Sequence, residues 1–178
     1  MEQLQNLDIK LLKYIYLHRY IDADNFLIWI TEHTTYLTVS LIIFIFSYGI
    51  IKKNINLQKK ALLISIAIIT SAIIVNLLKL IFKRERAYDI YNFLHVKIDA
   101  GGYSFPSGHT TEVFALAIAV SYLFPSKIVR YIVYFWAFLI AYTRIALGVH
   151  YPGDVLVGIF IGTITSIYII KFLNKKFG

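Results

Sequence analysis

The sequence predicts an all-α membrane protein: a polytopic bundle of five spanning helices preceded by an amphipathic N-terminal helix lying in the interface. Three observations carry this. Hydrophobic residues make up 58% of the 178 positions, and the mean hydropathy is +0.67, too apolar for a water-soluble domain of this size. Charged residues are only 16%, where a globular domain carries about 25%. The apolar residues also fall into runs close to the roughly 20 residues a spanning helix needs, separated by basic segments and by one long non-apolar connection, Lys83–Phe105.

The first 25 residues differ from the rest. Leu4, Leu7, Leu11, Leu12 and Ile15 recur at helical spacing, interrupted by Asp8, Lys10, Lys13, His18 and Arg19. That pattern fits a helix lying in the headgroup zone, which also suits Tyr14, Tyr16 and Tyr20. A sixth span is the alternative. The five expected spans are Phe26–Ile51, Ala61–Phe82, Thr110–Phe124 with its polar lead-in, Ile128–Leu147 and Val155–Phe172. The start, Met1-Glu2-Gln3, lacks a basic region followed by a short apolar core, so no cleaved signal peptide is expected. Residues 1–178 read as one domain, with 1–25 the interfacial helix and 26–178 the bundle.

Charge orients the spans. The segment Lys52–Lys60 carries four lysines and no acid, Lys127 and Arg130 follow the third span, and Lys171, Lys175 and Lys176 mark the tail. Basic ends of this kind face the cytoplasm. The net charge of +8 is divided among them, so nucleic acid is not an expected partner. There is no Cys, which rules out a disulfide or a thiolate metal site.

The polar residues that remain gather at the opposite span ends. Thr143-Arg144 is followed by His150-Tyr151-Pro152-Gly153-Asp154. Proline suits the first turn of a helix, and a short turn there can fold the Asp154 carboxylate onto the His150 imidazole. Such a bond fixes the tautomer and leaves the other ring nitrogen free as a nucleophile. Arg144, near the end of the preceding span, offers a planar fork to phosphate oxygens. Pro106-Ser107-Gly108-His109 precedes the third span. Ser107 is a good N-cap, Gly108 permits close backbone approach, and a helix N-terminus suits an anion. His109 is placed to protonate a leaving oxygen. Lys79 and Arg86 flank the end of the second span, where a cation within an apolar run calls for an anionic partner. Each feature alone has a plainer explanation: a snorkelling anchor, a simple cap, a structural hydrogen bond. Together, on one face, they form a phosphate-transfer centre.

These residues resemble the three-part signature of the type 2 phosphatidic acid phosphatase superfamily: Lys-x6-Arg-Pro, then Pro-Ser-Gly-His, then Ser-Arg-x5-His-x3-Asp. The motifs run from Lys79 to Asp154. The resemblance implies an antiparallel helical bundle and catalysis without a metal or other cofactor. It assigns phosphate binding to Lys79, Arg86, Ser107, Gly108 and Arg144, general-acid catalysis to His109, a phosphohistidine to His150 and its orientation to Asp154. Two positions depart from the pattern. Ala87 replaces the proline after Arg86, and Thr143 replaces the serine before Arg144.

Glu112, one turn after His109, is expected to tune that histidine or to bond a neighbouring helix. Glu32, with His33 beside it, is a rim residue. His18 and His95 read as surface residues, and Trp29 and Trp136 as lipid or core contacts. The expected activity is hydrolysis of a lipid-linked phosphate or diphosphate at the external leaflet. Undecaprenyl diphosphate is the first choice, with phosphatidylglycerophosphate, phosphatidic acid or a lipid A headgroup as alternatives. A vanadate-dependent haloperoxidase or a non-catalytic lipid transporter would be the readings from other classes. The expected setting is a bacterial inner membrane with the site on its periplasmic or extracellular face. The expected partners are the bilayer and the lipid substrate, with no obligate protein partner.

Overall fold

A computed structural model describes residues 2–98 and 100–177; the side chains of Glu2, Asn174, Lys176 and Phe177 lie outside that description. The described residues form helices and connecting loops. In order these are α1 (Glu2–His18), a 3-10 turn at Ile21–Ala23, α2 (Asp24–Glu32), α3 (Thr34–Ile51), α4 (Ile55–Phe82), α5 (Ala87–Ile90), α6 (Gly108–Leu123), α7 (Lys127–Ala146) and α8 (Pro152–Phe177). Two of the starts carry side-chain caps: Asn54 accepts from the Leu57 amide at 3.1 Å and Ser126 from that of Val129 at 3.4 Å, satisfying amides that a helix start leaves open.

Helix α6 is the centre of the bundle. Its residues Val113, Phe114, Ala115, Leu116, Ala117, Ala119 and Val120 are all buried, packed by α4, α7 and α8. At 16 residues it is about 24 Å long, shorter than a hydrocarbon core of about 30 Å. Four helices, α3, α4, α7 and α8, are long and apolar enough to cross a membrane. They turn apolar side chains outward: Ile66, Ile69, Ile73, Leu77 and Leu80 along α4, and Phe135 and Phe138 on α7, are all exposed. In water so large a patch would drive aggregation; in lipid it is the solvated surface.

The contact between α6 and α8 is set by glycine. A Cβ at Gly158 would lie 2.8 Å from the Ser107 carbonyl oxygen, and one at Gly162 would lie 2.4 Å from that of Thr111. Small residues four apart let two helix backbones approach in a membrane. Ser166 adds an interhelical hydrogen bond to the Ala115 carbonyl at 3.0 Å. The start of α8 is thereby pressed against the start of α6, and the Ser107 amide donates to the Asp154 carbonyl at 3.1 Å.

The structure corrects the expected first span. Phe26–Ile51 is not one helix but two, parted at His33. There His33 Nδ1 lies 2.8 Å from the Trp29 carbonyl, and the Thr34 hydroxyl donates to that of Ile30 at 2.9 Å. Side chains that bond carbonyls one turn back loosen and bend a helix. Ahead of the break, α1 packs on the ends of α7 and α8. Leu12 and Tyr16 are buried with Ala87, Leu94 and Tyr151, while Leu4, Leu7 and Leu17 are exposed. The Tyr16 hydroxyl donates to the His95 carbonyl at 3.2 Å and accepts from its amide at 2.9 Å. Helix α1 thus belongs to the end of the bundle that carries the polar motifs. At the other end Lys59, Lys60, Leu123 and Leu173 share one recess.

Candidate active site

Four helix ends and one loop build the site. Lys79, in the last turn of α4, donates through Nζ to the Tyr103 carbonyl. Arg86 precedes α5 and is almost fully buried. Its Nε and Nη2 donate to the carbonyls of Ala100, Gly101 and Gly102, and its Nη1 to that of Val149 at 2.8 Å. It therefore pins the loop leading into α6 against the turn leading into α8. Arg144, in the last turn of α7, is only 3% exposed. Its Nη1 donates to the Thr31 hydroxyl at 2.7 Å, and its buried Nε has no hydrogen-bond partner among the described residues. A buried cationic donor left open is costly unless an anion meets it.

The turn from α7 to α8 delivers the histidine. Gly148 has φ +75°, and a Cβ there would lie 3.0 Å from Leu94 Cδ2, so glycine alone fits. The next turn is closed by the His150 amide donating to the Arg144 carbonyl at 3.0 Å. His150 is buried, its Nδ1 3.5 Å from both Asp154 Oδ2 and Ser104 Oγ. Ser104 Oγ donates to the same Asp154 oxygen at 2.5 Å, and the Tyr151 amide also donates to it at 3.1 Å. The His150 Nε2 edge faces the other way, 3.5 Å from Arg86 Nη1. Burial pushes the His150 pKa down to about 3, with the Asp154 carboxylate acting in the opposite direction and Arg144 and Arg86 lowering it further. The imidazole is accordingly neutral near pH 7, the form in which a ring nitrogen carries a free lone pair.

Lys79, Arg86, Gly108, His109, Arg144, His150 and Glu32 line one cavity of about 320 Å³. Asp154 stands behind His150. Ser107 is fully buried and is not part of that lining: its hydroxyl pairs with that of Thr110 at 2.9 Å, and no side-chain cap bond is made. Glu112 lines the neighbouring groove. The departures found in the motifs are accommodated: Ala87 is buried at the start of α5, and the Thr143 hydroxyl donates to the Ile140 carbonyl at 2.7 Å.

Sequence reasoning missed four contributors: Ser104, Arg84, Asp8 and Thr31. Arg84 donates to Asp154 Oδ1 at 2.6 Å and to Asp8 Oδ2 at 2.7 Å, and lies over the Tyr151 ring at 3.7 Å. Asp8 Oδ1 accepts from the Gly153 amide at 2.7 Å. Its charge amid the α1 leucines was the one available signal. The arrangement places a neutral imidazole, backed by a paired carboxylate, in a pocket with three cationic side chains and a second histidine at a helix start. That combination suits attack on a phosphorus bearing negative oxygens.

The chain belongs to the PAP2 superfamily, whose family pattern matches residues 60–177. It is 30% identical over 155 residues to undecaprenyl-diphosphatase BcrC of Bacillus subtilis, a match spanning 86% of this chain and 74% of that one. Over 62 residues it is 45% identical to lipid A 4'-phosphatase of Bacteroides thetaiotaomicron, spanning 35% of this chain but only 28% of that one. A crystal structure of Aquifex aeolicus LpxE superposes with a TM-score of 0.82 at 30% identity, covering 93% of this chain and 95% of that one. A PAP2-type phosphatidylglycerolphosphate phosphatase from Bacillus subtilis superposes with a TM-score of 0.83 at 23% identity, covering 100% and 89%. The chain spans less than half the length of several of the curated relatives it matches, 28% of the Bacteroides thetaiotaomicron protein and 42% of lipid A 1-phosphatase of Rhizobium etli.

Proposed function

We propose that the chain hydrolyses a lipid-linked phosphate ester through a phosphohistidine on His150, at the external face of a bacterial inner membrane. The observation that carries this is the His150 ring, with Nδ1 turned to Asp154 and Ser104 and Nε2 turned to the cationic cavity. Nε2 attacks phosphorus, and the bond to the lipid oxygen breaks. His109 gives that oxygen a proton. Water then attacks the phosphohistidine, His109 takes the water's proton, and inorganic phosphate leaves. Lys79, Arg86 and Arg144 hold the phosphoryl oxygens, where charge grows, and Asp154 steadies the imidazolium side of the ring.

Two substrate readings have support. The BcrC match, long on both chains, supports a lipid diphosphate such as undecaprenyl diphosphate. A lipid phosphomonoester is favoured by the Glu112 carboxylate beside His109. The external face is supported by the lysine-bearing recess at the end of the bundle away from the site.

The test is single-turnover hydrolysis of a ³²P-labelled lipid phosphate by purified protein. Wild type should release phosphate and yield an acid-labile, base-stable phosphoprotein on quenching. His150→Ala should do neither. Normal release by His150→Ala would place the nucleophile elsewhere.

A further inference from the structure

The catalytic cavity adjoins a second one of about 440 Å³ lying between α3, α4 and α6, and Lys79, Gly108 and His109 line both. The rest of the second wall is mostly apolar, with Ile42, Ile69 and Val75 among its residues. A lipid whose phosphorus sits at His150 must send its leaving group past His109 into this groove. The groove's first few ångströms therefore read the atoms next to the bond that breaks.

One carboxylate stands there. Glu112 follows His109 by three residues on α6, a spacing that sets the two side chains about 5–6 Å apart on one helix face. Its Oε2 accepts from the Thr35 hydroxyl at 2.8 Å. Its Oε1 and the Thr38 hydroxyl are both buried on the same groove, and the Thr38 hydroxyl stands where it helps to hold the carboxylate. A carboxylate has about four lone-pair sites, more than the two threonine hydroxyls fill, so an incoming hydroxyl or amide N–H is the chemistry this position rewards. A second phosphate is the chemistry it opposes. Lys79 is the one lysine or arginine among the described residues of this groove, and it also lines the catalytic cavity, so it must be shared with the phosphoryl group under attack.

We infer that Glu112 is a specificity-determining residue: it selects lipid phosphomonoesters whose leaving group is an uncharged alcohol carrying a hydroxyl or amide N–H near the bridging oxygen. It disfavours lipid diphosphates, whose leaving group is itself a phosphate. The inference rests on the phosphatase reading above and narrows its substrate.

The experiment measures kcat and KM of the purified full chain on three lipids. Undecaprenyl diphosphate has an anionic leaving group. Phosphatidic acid has an uncharged one with no donor. A lipid A phosphate has an uncharged acylated amino sugar with donors. Glu112→Gln keeps the shape, the Thr35 bond and an acceptor, and removes only the charge. It should raise kcat/KM on the diphosphate, relative to phosphatidic acid, by about tenfold or more, since like charges brought together in a desolvated site are strongly unfavourable. Glu112→Ala removes the acceptor too, and should raise KM for the lipid A phosphate about tenfold more than KM for phosphatidic acid. A diphosphate-to-monoester ratio that is unchanged or falls in Glu112→Gln overturns the inference while leaving the phosphatase reading standing. Failure of wild type to release phosphate from any of the three overturns both.

Discussion

Arg84 is held between two carboxylates, donating through Nη1 to Asp154 at 2.6 Å and through Nη2 to Asp8 at 2.7 Å. Asp8 in turn accepts from the Gly153 amide at 2.7 Å, so α1 is bolted to the turn that presents His150. Asp154 is consequently a paired, immobilised charge. Outer partners of this kind are worth about 10–100-fold in activity where they orient metal ligands. Arg84→Gln should lower kcat by a similar factor with little change in KM, and Asp8→Asn should act in the same direction more weakly. A raised KM at unchanged kcat would mean instead that Arg84 binds substrate.

Asp154→Asn should leave the fold intact and cost more than either. The amide keeps the size of the carboxylate but cannot accept both Arg84 and Ser104 while stabilising a charged imidazole. The precedent for losing the orienting carboxylate behind a catalytic histidine is about 10⁴ in rate. Steady-state phosphate release, with thermal unfolding as a control for folding, measures it. A loss of less than about tenfold would assign Asp154 to structure alone.

The pH dependence follows from burial of His150, which pushes its pKa down to about 3. The nucleophile then stays neutral well below the ordinary histidine pKa of about 6.5. The acid limb of kcat/KM should lie below pH 6. Stability moves with it. Between about pH 3 and 6.5 the unfolded chain binds the His150 proton and the folded chain does not, so stability is fullest above 6.5 and declines with acidification. The decline is at most about 1.4 kcal/mol per unit. An acid limb at pH 6.5 that vanishes in no other histidine variant would contradict the buried, neutral nucleophile.

Turnover should survive excess EDTA. Lys79, Arg86 and Arg144 stand around the cavity where a metal would otherwise neutralise phosphoryl charge. Chelator-sensitive activity restored by Mg²⁺ would refute this.

Topology can be read with single cysteines, because the chain has none of its own. Gln5 lies on α1, whose Asp8 touches the site end, while Asn54 caps α4 at the other end. An impermeant thiol reagent should label Gln5→Cys on intact cells and Asn54→Cys only after permeabilisation. The reverse result would invert the orientation.

The apolar runs of α4, α7 and α8 and the spacing of Lys79, Arg86, His109, His150 and Asp154 were legible in the sequence because both are local properties. The break at His33 was not, since Phe26–Ile51 is long enough to read as one span with Glu32 and His33 near its outer end, and the hydrogen bonds that part it involve side-chain geometry. Nor could spacing reveal that Thr31 meets Arg144, 113 positions away, or that Asp8 meets Arg84 across 76. Such pairs exist only once the bundle has packed. Ser104 lies three positions before a motif residue, yet nothing in its surroundings distinguishes it from other loop serines until Asp154 is folded onto it.

The wall shared by the polar pocket and the apolar groove has a kinetic consequence. A reactant held by Lys79, Gly108 and His109 at this junction arrives by diffusion in two dimensions, and its two products part into different phases, one into water and one back into the leaflet. The relevant concentration is then a mole fraction in the surface. Diluting the lipid with inert detergent at constant bulk concentration should slow the reaction as surely as removing substrate, and the free phosphate, alone among the products, never competes for the groove.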